Sequence, residues 1–320
     1  MNQKIRVLFS APYEFLVPHL EDYKKEFEIV FHEIWTENDF PSDLSNYIAW
    51  IPNPGQNFII NTDILKNFNS LKIISTPSTG TNHINIQDCR NLSIDVFGLL
   101  DQRTGLEEIS ASAEFTFLTV LASIRKIRLA WHEVELNRWR HHENEMRGFE
   151  VNELSFGIVG MGRIGNNLVR YLQAFNAKQI SFCDINIEND KLHVASKVSI
   201  EDIFQKSDVI IICVALNDET ENLVDSKLIL SMKANSILVN TSRGEVINED
   251  DLIKALHARP DISFSADVLA GEVNKGKINQ SLVKMHKEKR INITPHIAGA
   301  TLGSQVKAAS LAMKAIYENV

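Results

Sequence analysis

Three titratable side chains stand where short apolar runs end. Arg243 follows SILVNTS and precedes Gly244, Glu272 lies just beyond ISFSADVLAG, and His296 follows INITP. A guanidinium offers a planar fork of donors that fits a carboxylate. An imidazole exchanges a proton near neutral pH, and a carboxylate beside it favours the charged ring and orients it. Together they suit hydride transfer to a 2-oxo acid, which needs a cation for the carboxylate, a proton donor for the carbonyl oxygen, and a group that keeps that donor protonated. Pro295 fixes its own φ and biases Thr294 toward extended backbone, so His296 leaves its strand with little freedom. Each side chain taken singly is an ordinary surface group. The combination gains meaning only if one sheet delivers all three to one edge.

A second constellation supplies that sheet. SFGIVGMGRIGNNLV contains Gly160, Gly162 and Gly165 in GxGxxG spacing, with Arg163 and Ile164 opening a helix. An apolar strand precedes the loop, and Asp184 ends the strand that follows the helix. This is the context a dinucleotide requires: glycines for the turn, for pyrophosphate approach and for helix packing, with helix amides facing the phosphates. Asp184 suits the adenosine ribose hydroxyls and repels a 2′-phosphate, and Ile185, Asn186 and Ile187 supply no cation, so NAD is expected rather than NADP. A competing loop, Gly271 to Ile278, matches GxxxxGK, but Ile278 lacks the hydroxyl that a P-loop needs for magnesium. His141, His142, Glu143 and Glu145 lack the i, i+4 histidine pair of a zinc helix, and no metal site is expected.

The elements that must position these groups are legible as alternating runs. Strands are expected at 5–10, 27–34, 47–52, 71–76 and 93–99, then at 156–161, 179–184, 209–216, 236–242, 262–269 and 291–294. Near-continuous apolar strands separated by helices imply parallel sheets covered on both faces. Between the two series, 109–131 reads as one long helix, apolar on most faces, followed by a polar connection. The final stretch from Leu302 reads as an amphipathic helix.

The composition agrees with this plan. The chain has 320 residues, enough for two domains, with 44% apolar residues and a net charge of −8. That charge argues against a nucleic-acid binder. The longest apolar run, VIIICVAL, is far short of the roughly 20 residues a membrane span needs. Three cysteines without metal spacing, and no signal-like start, lead to the expectation of a soluble cytoplasmic protein. Cys183 and Cys213 lie inside apolar runs and are expected to pack there.

The ordered set GxGxxG with Asp184, NTSRGEVIN, SADVLAGE and TPHIAGAT resembles the D-isomer-specific 2-hydroxyacid dehydrogenases, a family that includes phosphoglycerate, D-lactate, glyoxylate and hydroxypyruvate enzymes. The resemblance implies two Rossmann-like doubly wound α/β domains. An NAD domain at 105–296 is inserted into a flavodoxin-like substrate domain made of 1–104 and 297–320. It implies an oxidoreductase using NAD, with Arg243, Glu272 and His296 catalytic and Asp267 near the nicotinamide. The loop Ser78, Thr79 and Gly80 would hold the substrate carboxylate by its amides. The 109–131 helix and the segment with Trp139 would form a homodimer interface. Departures bear on the substrate. IPNPGQ, with Asn53, replaces the basic or hydroxyl pair common after the third strand, which weakens a 3-phosphoglycerate assignment. Arg103 stands in an unusual connecting loop, and no proline follows Glu272. A formate-type enzyme would carry glutamine at position 272. An NAD-sensing corepressor-like scaffold is the alternative from another class.

Overall fold

A computed structural model describes residues 4–273 and 277–320; Asn274, Lys275 and Gly276 of the GxxxxGK look-alike lie outside it, as does the side chain of Arg103. The chain separates into two compact units. One comprises Met1–Ile109, Glu272–Lys277 and Ala300–Val320, the other Ser110–Gly271 and Ile278–Gly299. The sequence reading placed the exchanges at 104 and 296, a few residues earlier.

The first unit contains β1 (Ile5–Phe9), β2 (Phe27–Phe31), β3 (Ala49–Ile51), β4 (Ile73–Ser75) and β5 (Asp95–Phe97), all parallel, in the order β2-β1-β3-β4-β5. The period-2 alternation of a strand divides its core. Leu8, Trp50 and Ile74 face one side, where Trp50 stacks on Phe68 at 5.2 Å. Val7, Phe9, Ile51 and Ile73 face the other, against Met313 and Ile316 of the C-terminal helix Leu302–Asn319.

The second unit carries β6 (Ser155–Val159), β7 (Gln179–Cys183), β8 (Ser196–Lys197), β9 (Val209–Ile212), β10 (Ile237–Asn240), β11 (Ser263–Ala266) and β12 (Asn292–Ile293). Their order is β12-β11-β10-β9-β6-β7-β8, and every pairing is parallel. The reversal lies between β6 and β9, where a doubly wound sheet opens its ligand crevice. β8 escaped the sequence reading because its two residues are polar and exposed. The helices used below are α1 (Ala111–Ile124), α2 (Ile127–Glu135), α3 (Arg163–Ala174), α4 (Glu249–Ala258) and α5 (Gln280–Lys287).

The single helix expected over 109–131 is two. α1 stops at Ile124, and Lys126 takes a left-handed backbone, φ 49°, before α2 begins. A later segment terminates it. The Phe149 amide donates to the Ile124 carbonyl at 3.1 Å, satisfying one of the carbonyls a helix end leaves open. Gly148 makes that approach possible, since a Cβ there would sit 2.1 Å from the same oxygen.

Candidate active site

The glycine loop joins β6 to α3, and each glycine has a separate reason. Gly160 has φ +97°, and a Cβ on it would lie 2.8 Å from Val214. A Cβ on Gly165 would stand 2.4 Å from the Gly160 oxygen, so that glycine lets helix and strand pack. Beyond the adjoining chain, no described atom lies within 4 Å of a would-be Cβ on Gly162, which leaves its backbone open to a phosphate. α4 and α5 begin on Asn248 and Asn279, whose side chains cap first-turn amides, whereas α3 begins on Gly162 with no side-chain cap. Its dipole and amides are thus offered outward. Arg163 is half-buried, and burial pulls its guanidinium below the usual arginine range; Ile164 turns toward the core.

Asp184, just past β7, ties this loop to the next. Its Oδ2 accepts the Met161 amide at 2.8 Å and its Oδ1 those of Asn186 and Ile187 at 2.8 and 2.9 Å. A carboxylate has about four lone-pair sites, so one stays open for a hydroxyl. The donor set and the open glycine backbone fit a dinucleotide.

Arg243 leaves the end of β10. Asn240, 1% exposed, shapes the turn: its Nδ2 donates to the Arg243 carbonyl at 2.9 Å, and its Oδ1 accepts the Ser242 amide and hydroxyl at 3.0 and 2.8 Å. The Arg243 Nη1 donates to the Ser242 carbonyl at 2.6 Å. Gly244 is obligatory for a different reason from the loop glycines, because a Cβ there would fall 2.0 Å from the Leu269 carbonyl carbon. The arginine turn is therefore seated directly on the backbone that follows β11.

His296 lies beyond β12, exposed, with φ +53°. Asp267 holds this unfavourable conformation in place. Fully buried at the end of β11, its carboxylate accepts the Thr294 hydroxyl at 2.5 Å and the Ile297 and Ala298 amides at 3.0 and 2.7 Å. The Asp267 carbonyl accepts the His296 amide at 2.8 Å. Because β10, β11 and β12 are adjacent and parallel, Arg243, Asp267 and His296 leave the same edge of one sheet, the edge that also carries the glycine loop and Asp184.

The remaining candidates group with the first unit. Glu272, half-buried, opens the stretch Glu272–Lys277. Ser78, Thr79 and Gly80 follow β4. There Thr76 Oγ1 lies 2.9 Å from Ser78 Oγ and 3.0 Å from Nε2 of the buried His83, and Ser78 Oγ donates to the Gly80 carbonyl at 2.7 Å. These bonds fix the loop while no described residue accepts from the amides of residues 78–80.

Some contributors were missed in the sequence reading. Glu249 accepts the Ala270 amide at 2.7 Å and Glu245 that of Gly271 at 3.2 Å, so two carboxylates hold the backbone just before Glu272. Glu245 lay inside a quoted motif, yet nothing local signals that its partner is 26 residues away. His142, set aside as a metal ligand, bonds Glu133 Oε2 at 2.9 Å.

A family model for the D-isomer specific 2-hydroxyacid dehydrogenase, NAD binding domain, matches residues 117–298. A glyoxylate reductase of Aeropyrum pernix is 30% identical over 259 residues, covering 79% of this chain and 74% of its own. Another from Thermofilum pendens is 29% identical over 307 residues, covering 93% and 86%. Among solved structures, D-lactate dehydrogenase from Aquifex aeolicus, complexed with NAD and lactic acid, superposes with a TM-score of 0.81 at 23% identity. That match covers 97% of this chain and 94% of the other, a likeness of fold.

Proposed function

The chain belongs to the D-isomer specific 2-hydroxyacid dehydrogenases, NAD-dependent oxidoreductases, and we propose that it interconverts a small, unphosphorylated 2-oxo acid and its D-2-hydroxy acid. The observation that carries this reading is the shared sheet edge, where Arg243, the Asp267-clamped His296 and the open Gly162 backbone emerge together. The Arg243 fork binds the substrate carboxylate and carbonyl oxygen, helped by the amides of Ser78, Thr79 and Gly80. The nicotinamide, when bound, supplies or takes up the hydride at substrate C2. In the reductive direction His296 gives its proton to the carbonyl oxygen, and Glu272 favours the protonated ring. Asp267 holds the histidine loop beside the nicotinamide site.

The relatives' names and the loop after β3 support the proposed substrate class. Several relatives are glyoxylate reductases, which act on a small 2-oxo acid. Asn53 and Gln56 are 2% and 1% exposed, and their amides are spent on the Ile34 and Phe58 carbonyls. The loop itself, IPNPGQ, carries no Lys or Arg to hold a phosphate. The protein is proposed to work in the cytoplasm as a homodimer. α2 supports the dimer: its one buried residue is Glu133, while Trp131 and Val134 are exposed and left largely uncovered by the described residues.

Turnover decides the matter. NADH oxidation is followed with glyoxylate, hydroxypyruvate, pyruvate, 2-oxoglutarate, branched 2-oxo acids and phosphohydroxypyruvate. Glyoxylate or another small acid should be reduced fastest, and His296→Ala should lower kcat by about 10²–10⁴. Binding of NADH without turnover of any acid would favour a scaffold instead, and an unchanged kcat in His296→Ala would remove the histidine from the mechanism.

A further inference from the structure

The strand that delivers the histidine is short and lies at the edge of its sheet. β12 has two residues, paired to β11 through Ser265↔Asn292 and Ala266↔Ile293, and among the described residues no strand lies beyond it. So short a ladder holds a strand weakly, and an edge leaves backbone groups open on the outer side.

Two side chains supply what a neighbouring strand would have supplied. Arg128 of α2 donates from Nη1 to the Ile291 carbonyl at 2.7 Å. His286 of α5 accepts the Ile293 amide on Nδ1 at 2.9 Å. The same Arg128 nitrogen lies 2.8 Å from His286 Nδ1, so one guanidinium joins the carbonyl of residue 291 to the imidazole that holds the amide of residue 293. A donor and an acceptor two residues apart along one edge are what a paired strand presents. Burial, and then the Arg128 charge, push the His286 imidazole below the usual histidine range, which keeps Nδ1 unprotonated and accepting. A third tie comes from α1: Ser123 Oγ lies 2.7 Å from Ser265 Oγ, which accepts from Asn292 Nδ2 at 3.0 Å.

Downstream of this clamp the chain is rigid. The Thr294 amide donates to the Ala266 carbonyl at 2.9 Å, Pro295 has a fixed φ, and His296 is next. A shift of β12 therefore reaches the imidazole with little damping.

We propose that Arg128 is a positioning residue for His296, acting with His286 as a side-chain surrogate for the missing neighbour of β12. The inference rests on the acid/base role proposed above for His296. It also gives α2 a second task, since the helix that exposes Trp131 and Val134 also grips the strand carrying the histidine.

The test compares Arg128→Ala, Arg128→Lys and His286→Phe in single-turnover reduction of glyoxylate, or of the fastest acid in the panel, with NADH affinity measured separately by fluorescence. A misplacement of about 1 Å slows chemistry far more than it weakens cofactor binding. The hydride-transfer rate should fall roughly tenfold or more in Arg128→Ala and His286→Phe, with the NADH Kd within about twofold. Lysine should restore most of the rate, because its ammonium can still donate to the Ile291 carbonyl. An unchanged rate in Arg128→Ala overturns the proposal. So does a parallel loss of rate and NADH affinity that lysine fails to rescue, since that marks general loosening. If Arg128→Ala does not fold, His286→Phe carries the same test. An inactive His296→Ala beside a fully active Arg128→Ala sinks only this inference, whereas an active His296→Ala sinks the reading of the site on which it rests.

Discussion

Asp267 carries a heavy structural load in the candidate site. Its buried carboxylate serves three donors of the 294–298 loop, and such charge-assisted bonds contribute about 1.5–3 kcal/mol each when a partner is lost. Asp267→Asn turns one oxygen into an NH₂ group that confronts an amide donor. It should lower the denaturation midpoint and reduce kcat by at least about tenfold, read by urea titration and steady-state assay. The resemblance set Asp267 near the nicotinamide, but its bonds to the 294–298 loop were not legible, because its partners lie 27, 30 and 31 residues away. The glycine loop and Asp184 were legible because their signal is local. Arg128 and His286 were not, being 158 residues apart and each ordinary in its own helix. His286 also predicts a pH dependence. Its folded pKa is lowered, so the stability it contributes is complete above the ordinary histidine value of about 6.5 and is lost as pH falls below it. The melting temperature of the unmodified protein should drop more steeply between about pH 6.5 and 5 than that of His286→Phe.

Among the elements, the turn between β10 and α4 tolerates little change. Gly244→Ala would drive a Cβ against the backbone of Leu269 and Ala270, at 2.0 and 2.1 Å, where no flexible side chain can yield. A loss of about 2–3 kcal/mol is expected by chemical denaturation, with kcat falling as the Arg243 turn lifts. Eleven of the twelve strands were legible, since β-branched runs such as VIII in β9 bury on both faces and announce themselves. The break between α1 and α2 was not. The apolar pattern of ASIRKIRLAW continues through Lys126, and the cause of the stop, Gly148 with Phe149, arrives later in the chain. Hydrophobic period reports what an element buries, and it says little about which distant amide ends it. The same logic applies to the cysteines. Their runs predicted packing, and burial pushes Cys183 and Cys213 up to about 12. Thiol reagents at neutral pH should label neither until the protein is unfolded.

At the scale of the whole molecule, two measurements bear on the proposal. NAD at about 100 times its Kd should raise stability by about 2.7 kcal/mol, seen as a thermal shift, and NADP at equal concentration should give far less. Asp184→Ser should narrow that gap. Comparable shifts from both cofactors in the unmodified protein would remove the discriminating role of Asp184. For assembly, the exposed Trp131 (64%) and Trp139 (72%) are the probes. The unmodified protein should sediment as a dimer and Trp131→Glu as a monomer or a weakened dimer, because a charge placed in an apolar interface is costly to bury. The resemblance implied two doubly wound domains, one of them flavodoxin-like, but the runs of residues themselves gave only two alternating series and no strand order. Strand order depends on which crossovers turn back, and no run of residues encodes that locally.

The left-handed backbone at His296 has one further consequence. An ordinary side chain in that conformation costs about 1–2 kcal/mol, and glycine avoids the cost. Of the two variants, His296→Gly should therefore melt above His296→Ala. Under the acid/base role proposed for His296, durability and catalysis ask for different residues at this position.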